Sequence, residues 1–208
     1  MANAGRTSSK FERDKFLLNQ RRFSIKEKYY VYDEEGTELF YVERPFQWGR
    51  RNITVFEDDS KSVPVLFINQ DQFWEMVHRE YTVLDAEGQV VARLSRNNFS
   101  SLFRRGWRIM NPGGGSEVRV REQSMFSSIL RRIVNLIPLV GLFGGVLRTN
   151  FEFLAQDSAG SERRIGTFNR RFTISDKYVL DISEDSGQRL DRRVALAVGV
   201  LLDTAEKR

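Results

Sequence analysis

The stretch that decides the fold is Leu190–Ala205, which reads LDRRVALAVGVLLDTA. From Val194 to Leu202 no polar side chain interrupts it. A surface helix carries an apolar stripe and a polar face, whereas a segment that is apolar all round is buried on every side. Alanine and leucine favour a helix, and Asp191 can cap its start by accepting from a free backbone N–H. A buried strand is the rival interpretation, but the length of the run favours a helix.

This stretch therefore predicts a buried helix over residues 190–205 that the other elements must surround. Nine apolar positions at about 1–2 kcal/mol each give a driving force in the low tens of kcal/mol, before conformational entropy is subtracted. The expected core residues of the helix are Val194, Leu196, Val198, Val200 and Leu201.

Composition sets the first limits on function. The 208 residues are enough for one domain with a substantial core, and 40% of them are hydrophobic. There is no cysteine, which excludes disulfides, thiol nucleophiles and zinc–thiolate sites. The net charge of +5 and the pI near 9.6 favour anionic partners such as phospholipid surfaces or nucleic acid. Residues 1–22 show no signal peptide, so we expect a cytoplasmic protein.

Most of the chain reads as strands. Residues 1–20 are polar and predict a flexible N-terminal arm. After them a unit recurs, in which an aromatic and β-branched run, an acidic or glycine-rich turn and a second apolar run follow one another. Each unit predicts a β-hairpin, because Asp, Asn and Gly tolerate the backbone of tight turns. The four units span Tyr29–Glu43, Tyr81–Ser95, Trp107–Arg121 and Phe151–Phe168.

A second echo links two distant parts of the predicted sheet. RRFSIKEKYYV (Arg21–Val31) resembles RRFTISDKYVL (Arg170–Leu180), so we expect them to occupy equivalent places. Asn52–Glu57, Val63–Asn69 and Phe73–Arg79 are further strand candidates. About twelve strands joined by short turns predict an antiparallel sheet that closes on itself. A barrel of that width needs filling, and a helix of about 16 residues would span about 24 Å of it.

Residues 124–147 break the strand pattern. The first part, SMFSSILRRIVNLI, has apolar residues at helical spacing, with Arg131 and Arg132 on the opposite face. Pro138 ends or kinks that helix, and the apolar run after it is rich in glycine. The arginines, the proline and the glycines make the segment a poor transmembrane span. We expect an inserted amphipathic helix within one domain over residues 21–206.

Taken together, these features resemble the tubby C-terminal-like superfamily, in particular its branch of LURP-one-related proteins and phospholipid scramblases. The resemblance rests on the turns Asp33–Gly36 and Asp85–Gly88, on RRFTISDKYVLDI and on LDRRVALAVGVLLD, and it covers about Arg21 to Ala205. It implies a mainly β fold with a central α-helix, that is, a closed antiparallel barrel of twelve strands around a C-terminal apolar helix. It carries over no ligand residue of the tubby domains.

Catalytic and metal motifs are weak in this sequence. No serine and acid accompany His78 in a triad pattern, and Asn111–Gly115 lacks the spacing of a phosphate-binding loop. We therefore expect no enzymatic activity and no cofactor. Asp181 and Asp185 in DISEDSG approach the spacing of a calcium loop, and the resemblance to scramblases keeps calcium in view. The glycine comes one position late and the bidentate glutamate is missing, so a solvated acidic turn is favoured.

Contact with a membrane is the sharper functional hypothesis. An interfacial helix needs an apolar face and cationic groups. The alternative is that the same face packs on the barrel or plugs one end of it. Arg104 and Arg105 could add an anion patch for a phosphoinositide headgroup, as the resemblance to tubby domains implies. The candidate membrane contacts are Arg131, Arg132, Ile137, Leu139, Leu142 and Phe143.

The predicted function is thus a non-enzymatic barrel module that associates with anionic lipid at the inner face of the membrane. A soluble scaffold or protein-interaction domain is the alternative from another class. Phospholipid scrambling is a remoter one, disfavoured because the last apolar segment ends in TAEKR. Nucleic acid is not expected, since the arginine pairs are spread along the chain. The oligomeric state stays open.

Overall fold

The computed structural model describes residues 9–21, 27–44, 52–71, 78–97, 106–113, 117–122, 151–156, 160–171 and 177–206. Within them the chain forms a helical turn at residues 9–11, twelve strands and one long helix. The strands are β1 Lys15–Arg21, β2 Glu27–Tyr32, β3 Glu38–Arg44, β4 Ile53–Phe56, β5 Pro64–Gln70, β6 His78–Asp85, β7 Val90–Asn97, β8 Gly106–Met110, β9 Val118–Glu122, β10 Phe151–Gln156, β11 Glu162–Arg171 and β12 Lys177–Asp181. The helix is α1, Arg192–Glu206.

The twelve strands form a closed barrel in which each strand is antiparallel to the next. β12 returns to pair with β1, with Lys15 opposite Asp181 and Asn19 opposite Lys177. The predicted mainly β fold and the closed antiparallel barrel of about twelve strands are therefore confirmed. Closure removes the unpaired sheet edges that would otherwise invite association between chains.

The four predicted hairpins are confirmed as β2–β3, β6–β7, β8–β9 and β10–β11. In the β8–β9 pair, apolar residues alternate with arginines along each strand. The apolar residues are buried and the arginines are exposed, as the alternation of side chains along a strand predicts. The two sequence echoes begin on β1 and β11 and end on β2 and β12. Tyr29 and Tyr178 occupy the same position in the two echoes, and both are buried.

The prediction of a flexible arm over residues 1–20 is wrong from Lys15 onward, because Lys15–Arg21 forms the strand that closes the barrel. Phe16 and Leu18 face the core and drive this pairing despite their polar neighbours. Phe11 is also buried, and its ring stacks on Phe40 with 4.3 Å between centroids. The predicted strand Phe73–Arg79 overlaps β6 only at its last two residues, and the predicted helix of residues 124–147 lies outside the described residues.

The stretch that was predicted to decide the fold is helical, and the rival strand interpretation is wrong. Residues 194–198 and 200–203 are each at most 1% exposed. Gly199 packs so closely that a Cβ atom there would lie 3.2 Å from the Phe168 ring and 3.7 Å from Leu180. The helix also contacts β7 and β12, which stand five positions apart around the ring of twelve strands. Val194, Leu196, Val198, Val200 and Leu201 all belong to the main apolar cluster.

Bulges shape one end of the barrel. The register shifts by one residue in β2–β3, β4–β5, β6–β7 and β10–β11, each time near the turn. A bulge lets two successive side chains leave the strict alternation of a strand. Leu39 and Phe40 are therefore both buried, as are Val65 and Leu66. The result is an extra layer of apolar side chains at the end of the barrel where these turns lie.

Candidate functional site

The barrel has two different ends because the chain runs up and down through it. At what we call the hairpin end, the strands are connected by residues 33–37, 57–63, 86–89, 111–117 and 157–161, and residues 182–191 connect β12 to α1. At the opposite, linker end, the connections are residues 22–26, 45–52, 71–77, 98–105, 123–150 and 172–176. α1 runs from the first end toward the second, since Arg192 contacts Asp14 and Asp203 contacts Tyr29.

The amino-acid composition of the connections differs sharply between the two ends. Those of the hairpin end contain twelve acidic residues, two basic residues and no aromatic residue. Those of the linker end contain nine basic residues, three acidic residues and ten aromatic residues. The modest net charge of the whole chain therefore hides a difference in amino-acid composition between the two sets of connections.

Arginines also face the core near the linker end. Arg96 is only 6% exposed, and its guanidinium carbon lies 5.8 Å from the ring centre of its cross-strand partner Trp107. Arg170 stands in the same relation to Tyr178, at 5.9 Å. Such cation–π contacts hold a guanidinium in an otherwise apolar setting. The apolar core therefore gives way to cationic and aromatic groups as it approaches the linker end.

Near the linker end, Asp203 also joins α1 to the barrel wall. It is 1% exposed, and the Tyr29 hydroxyl donates a hydrogen bond to its Oδ2. The Gln20 amide donates to the Tyr29 hydroxyl at 3.3 Å. A buried carboxylate must be hydrogen-bonded to be tolerated, so this chain fixes the last buried turn of α1 against β1 and β2.

At the hairpin end, four turns share one construction that starts with an aspartate. The residue three positions later has a positive φ in each case: Gly36, Lys61, Gly88 and Gln188. The aspartate side chain accepts backbone N–H groups within its own turn, as from Thr37 at 2.7 Å and from Arg189 at 3.0 Å. Asx turns of this kind account for Asp33, Asp58 and Asp185 among the twelve acidic residues of these connections. The turns begin at Asp33, Asp58, Asp85 and Asp185.

The calcium candidates belong to this turn chemistry. Asp185 is 3% exposed, and its carboxylate accepts the N–H groups of Arg189 and Leu190 and a guanidinium N–H of Arg192. Asp181 accepts the N–H and hydroxyl of Ser183. In the described part of the chain, no group of three or more His, Cys, Asp or Glu residues is arranged to hold a metal ion. The calcium candidates thus organise the loop that leads into α1.

A bowl of about 1110 Å³ opens at the hairpin end, beside the start of α1. We call it the hairpin-end bowl. Its apolar lining includes Phe11, Val65, Val91 and Leu190, and two of these, Val65 and Val91, lie at the bulges. Its charged lining is Glu12, Asp14, Asp85, Glu87, Asp185, Arg189, Asp191, Arg192 and Arg193.

The outer wall carries an aromatic cluster on β2, β3 and β4. Tyr41 lies with its ring centre 5.3 Å from that of Tyr30 and 6.4 Å from that of Phe56. Burial and the hydrogen bond from its hydroxyl to Glu43 raise the pKa of Tyr41 well above its usual range. Nearby, partial burial and the charges of Asp59 and Asp58 raise the pKa of Glu38.

The residues predicted to touch a membrane or an anion lie outside the described residues. Arg104 and Arg105 are in residues 98–105, which connect β7 to β8. The candidates from Arg131 to Phe143 are in residues 123–150, which connect β9 to β10. β7, β8, β9 and β10, the strands that flank these two connections, are consecutive neighbours in the barrel.

Sequence reasoning missed the hairpin-end bowl and the buried polar chain of Asp203. The signal for Asp203 was its position directly after the apolar run of α1. An acidic residue next to buried ones is itself expected to be buried and to need a hydrogen-bond partner. The signal for the bowl was a pair of adjacent apolar residues after the acidic turns, as in Val90–Val91. In a regular strand, adjacent side chains point to opposite faces, so two adjacent apolar residues depart from the alternation.

Comparison with known proteins gives one family. The family model described as LURP-one-related matches residues 43–203, which are most of the chain and run from the end of β3 through β12 into α1. No curated protein matches it significantly. Among the described residues, no helix combines the length and the apolar character needed to cross a bilayer.

Proposed function

The chain belongs to the LURP-one-related family, and from that premise we propose that it is a non-enzymatic barrel module that associates peripherally with anionic membrane surfaces through its linker end. The observation that carries this proposal is the contrast between the two ends of the barrel. The linker-end connections have nine basic residues against three acidic ones, and ten aromatic residues where the hairpin end has none.

The chemistry of the linker end suits a membrane interface. Aromatic rings settle at the level of lipid headgroups, and each Lys or Arg near an anionic surface contributes about 1 kcal/mol. Single apolar insertions bind a bilayer weakly, and stable association combines them with a basic patch. Arg131, Arg132, Arg104 and Arg105 supply that patch, and Ile137, Leu139, Leu142 and Phe143 supply the inserted side chains. Anionic phospholipids or phosphoinositides are the lipids that fit.

We also infer that α1 lies inside the barrel and does not touch the membrane. A helix buried on every face needs neighbours on every side. Contacts with β7 and β12, from distant parts of the ring, and the bond from Tyr29 of β2 to Asp203 support this position. The apolar run of α1 is then the core of the fold, and membrane contact falls to the linker end.

Flotation with vesicles tests the membrane proposal. We expect the protein to float with vesicles of phosphatidylcholine and phosphatidylserine and to stay below vesicles of phosphatidylcholine alone. Arg131→Glu with Arg132→Glu should lower the bound fraction at least tenfold, because reversing two charges removes more than the 1.4 kcal/mol that a factor of ten requires. Arg108→Glu with Arg119→Glu, the same charge change on the exposed outer wall, should leave flotation unchanged.

A second pair of variants separates insertion from headgroup recognition. Loss of flotation in Phe143→Asp assigns insertion of apolar side chains. Binding lost in the Arg131 and Arg132 double substitution but kept in Phe143→Asp assigns recognition of the headgroup, and Arg104→Glu with Arg105→Glu then maps its extent. A protein that stays in the soluble fraction with both kinds of vesicle, unaffected by Phe143→Asp, is the soluble scaffold or protein-interaction domain of the alternative interpretation.

A further inference from the structure

We propose that the hairpin-end bowl is a docking surface for a protein partner that presents a basic segment carrying apolar side chains. This surface is at the opposite end of the barrel from the one proposed to meet the membrane. It goes beyond the proposed membrane association and does not depend on it.

Apolar side chains reach the surface inside the bowl. Val63 and Val91 are partly buried, pack against the main apolar cluster and line the bowl. Val91 takes this position because it is the bulged residue of β7. Apolar groups that reach the wall of a concavity are typical of interaction sites.

The charge of the bowl is negative even though three arginines line it. Arg192 pairs with Asp14 and Asp185 at 2.7 and 2.8 Å, and Arg193 pairs with Asp191 at 2.6 Å. These ion pairs neutralise two of the three arginines from within the chain, and the third, Arg189, donates a hydrogen bond to the backbone oxygen of Gln156. The six acidic residues of the lining outnumber the three arginines.

The carboxylates of Glu12 and Glu87 remain exposed on the bowl wall. Within the described ranges neither makes a side-chain hydrogen bond or an ion pair. The surplus negative charge is therefore available to a cationic partner, and it surrounds an apolar floor.

The open shape of the bowl favours a peptide segment over a small molecule. Pockets for small ligands enclose about 300–1,000 Å³ and bury most of the ligand. The bowl, at about 1110 Å³, is open on one side and would leave much of a small ligand uncovered. A segment with lysines or arginines can place its charges against Glu12 and Glu87 and its apolar side chains against Val63, Val91 and the floor. That combination of aliphatic contact and charge is what commits the surface to a basic, apolar partner.

Binding of synthetic peptides in solution, without vesicles, tests the proposal. The probes are fluorescein-labelled peptides of equal length: alternating Lys and Leu, alternating Lys and Ser, and alternating Glu and Leu. Fluorescence anisotropy should show the Lys–Leu peptide binding at least tenfold more tightly than the Lys–Ser peptide, and no binding of the Glu–Leu peptide. Glu12→Lys with Glu87→Lys should weaken Lys–Leu binding at least tenfold.

Two further double variants separate the bowl from the general acidity of its end. Val63→Ser with Val91→Ser removes the partly buried apolar groups that line the bowl and should weaken Lys–Leu binding about fivefold or more. Glu34→Lys with Glu35→Lys makes the same charge change as the bowl variant, on the exposed β2–β3 turn, and should change binding less than twofold.

Several outcomes would overturn the assignment. Equal weakening by the Glu34 and Glu35 variant, or equal affinity for the Lys–Ser peptide, would reduce the effect to unspecific charge attraction. Absence of Lys–Leu binding would refute the proposed docking surface. Self-association in sedimentation velocity that is abolished by Glu12→Lys with Glu87→Lys would give the bowl to a second copy of this chain instead. Because no lipid is present, these results stand apart from the flotation experiment.

Discussion

Asp185 offers the sharpest test of how the hairpin end is built. Its carboxylate accepts the N–H groups of Arg189 and Leu190, both at 3.0 Å, and the Arg192 guanidinium at 2.8 Å. A neutral hydrogen bond contributes about 1 kcal/mol and a charge-assisted one about 1.5–3 kcal/mol. Asp185→Ala should therefore lower the free energy of unfolding by about 4 kcal/mol, a large part of the 5–15 kcal/mol that a domain possesses.

Urea unfolding followed by tryptophan fluorescence measures this loss, with added calcium and with a chelator. We expect the same loss in both solutions, because the carboxylate oxygens of Asp185 accept hydrogen bonds within the loop and do not bind calcium. Asp185→Asn keeps one acceptor oxygen and should lose about half as much. Asp181→Ala is the matched control, with an expected loss below about 1 kcal/mol, because its carboxylate is more accessible and, among the described residues, contacts Ser183 and Lys15. A loss below about 1 kcal/mol for Asp185→Ala, or stabilisation of the unsubstituted protein by calcium that Asp185→Ala removes, would refute this reasoning.

Other substitutions probe the packing and the electrostatics. Gly166→Ala should destabilise by more than about 2 kcal/mol in urea unfolding, because its Cβ would lie 2.6 Å from a backbone oxygen, that of Asp181. Gly113→Ala, which meets open space, should be nearly neutral. Ala197→Asp places an unpaired charge in the fully buried part of α1 and should abolish the cooperative thermal transition seen by circular dichroism; a folded variant would contradict the burial of this helix. Glu38→Gln should raise stability slightly at pH 7, because a raised pKa means that the fold disfavours the ionised carboxylate. That gain should vanish as the pH falls through the raised pKa to below the ordinary glutamate value of 4.5, and a gain that grows on acidification would contradict it.

The barrel was predictable from sequence because its hairpins carry strong local signals. In Trp107–Arg121 the apolar and basic residues alternate and a glycine-rich turn separates them, so both strands and their inward faces follow from the pattern. The buried helix was equally predictable, because no polar side chain occurs from Val194 to Leu202 and the helix therefore has no polar face. Closure of the ring followed from the number of strands.

The remaining features depend on contacts between distant parts of the chain. β1 was missed because its apolar run, Phe16–Leu18, is only three residues long in a polar stretch, and its strand form comes from pairing with β2 and β12. The bulges were missed because Val91 looks like a break in alternation until β6 fixes its register. The bowl assembles residues from Phe11 to Arg193, which no local pattern joins. The contrast between the two ends appears only when the up-and-down path assigns each connection to its end.

The pairing of Lys15 with Asp181 has a consequence for how this protein is made. The strand nearest the N-terminus has its second partner about 160 residues later, and the buried residues of α1 follow still later. A chain emerging from the ribosome can form its successive hairpins, but β1 keeps an open edge until β12 has been synthesised, and the apolar partners of α1 stay uncovered until α1 follows. During that interval, exposed apolar strand faces are vulnerable to aggregation, so translation speed and chaperone capacity should govern the yield of folded protein.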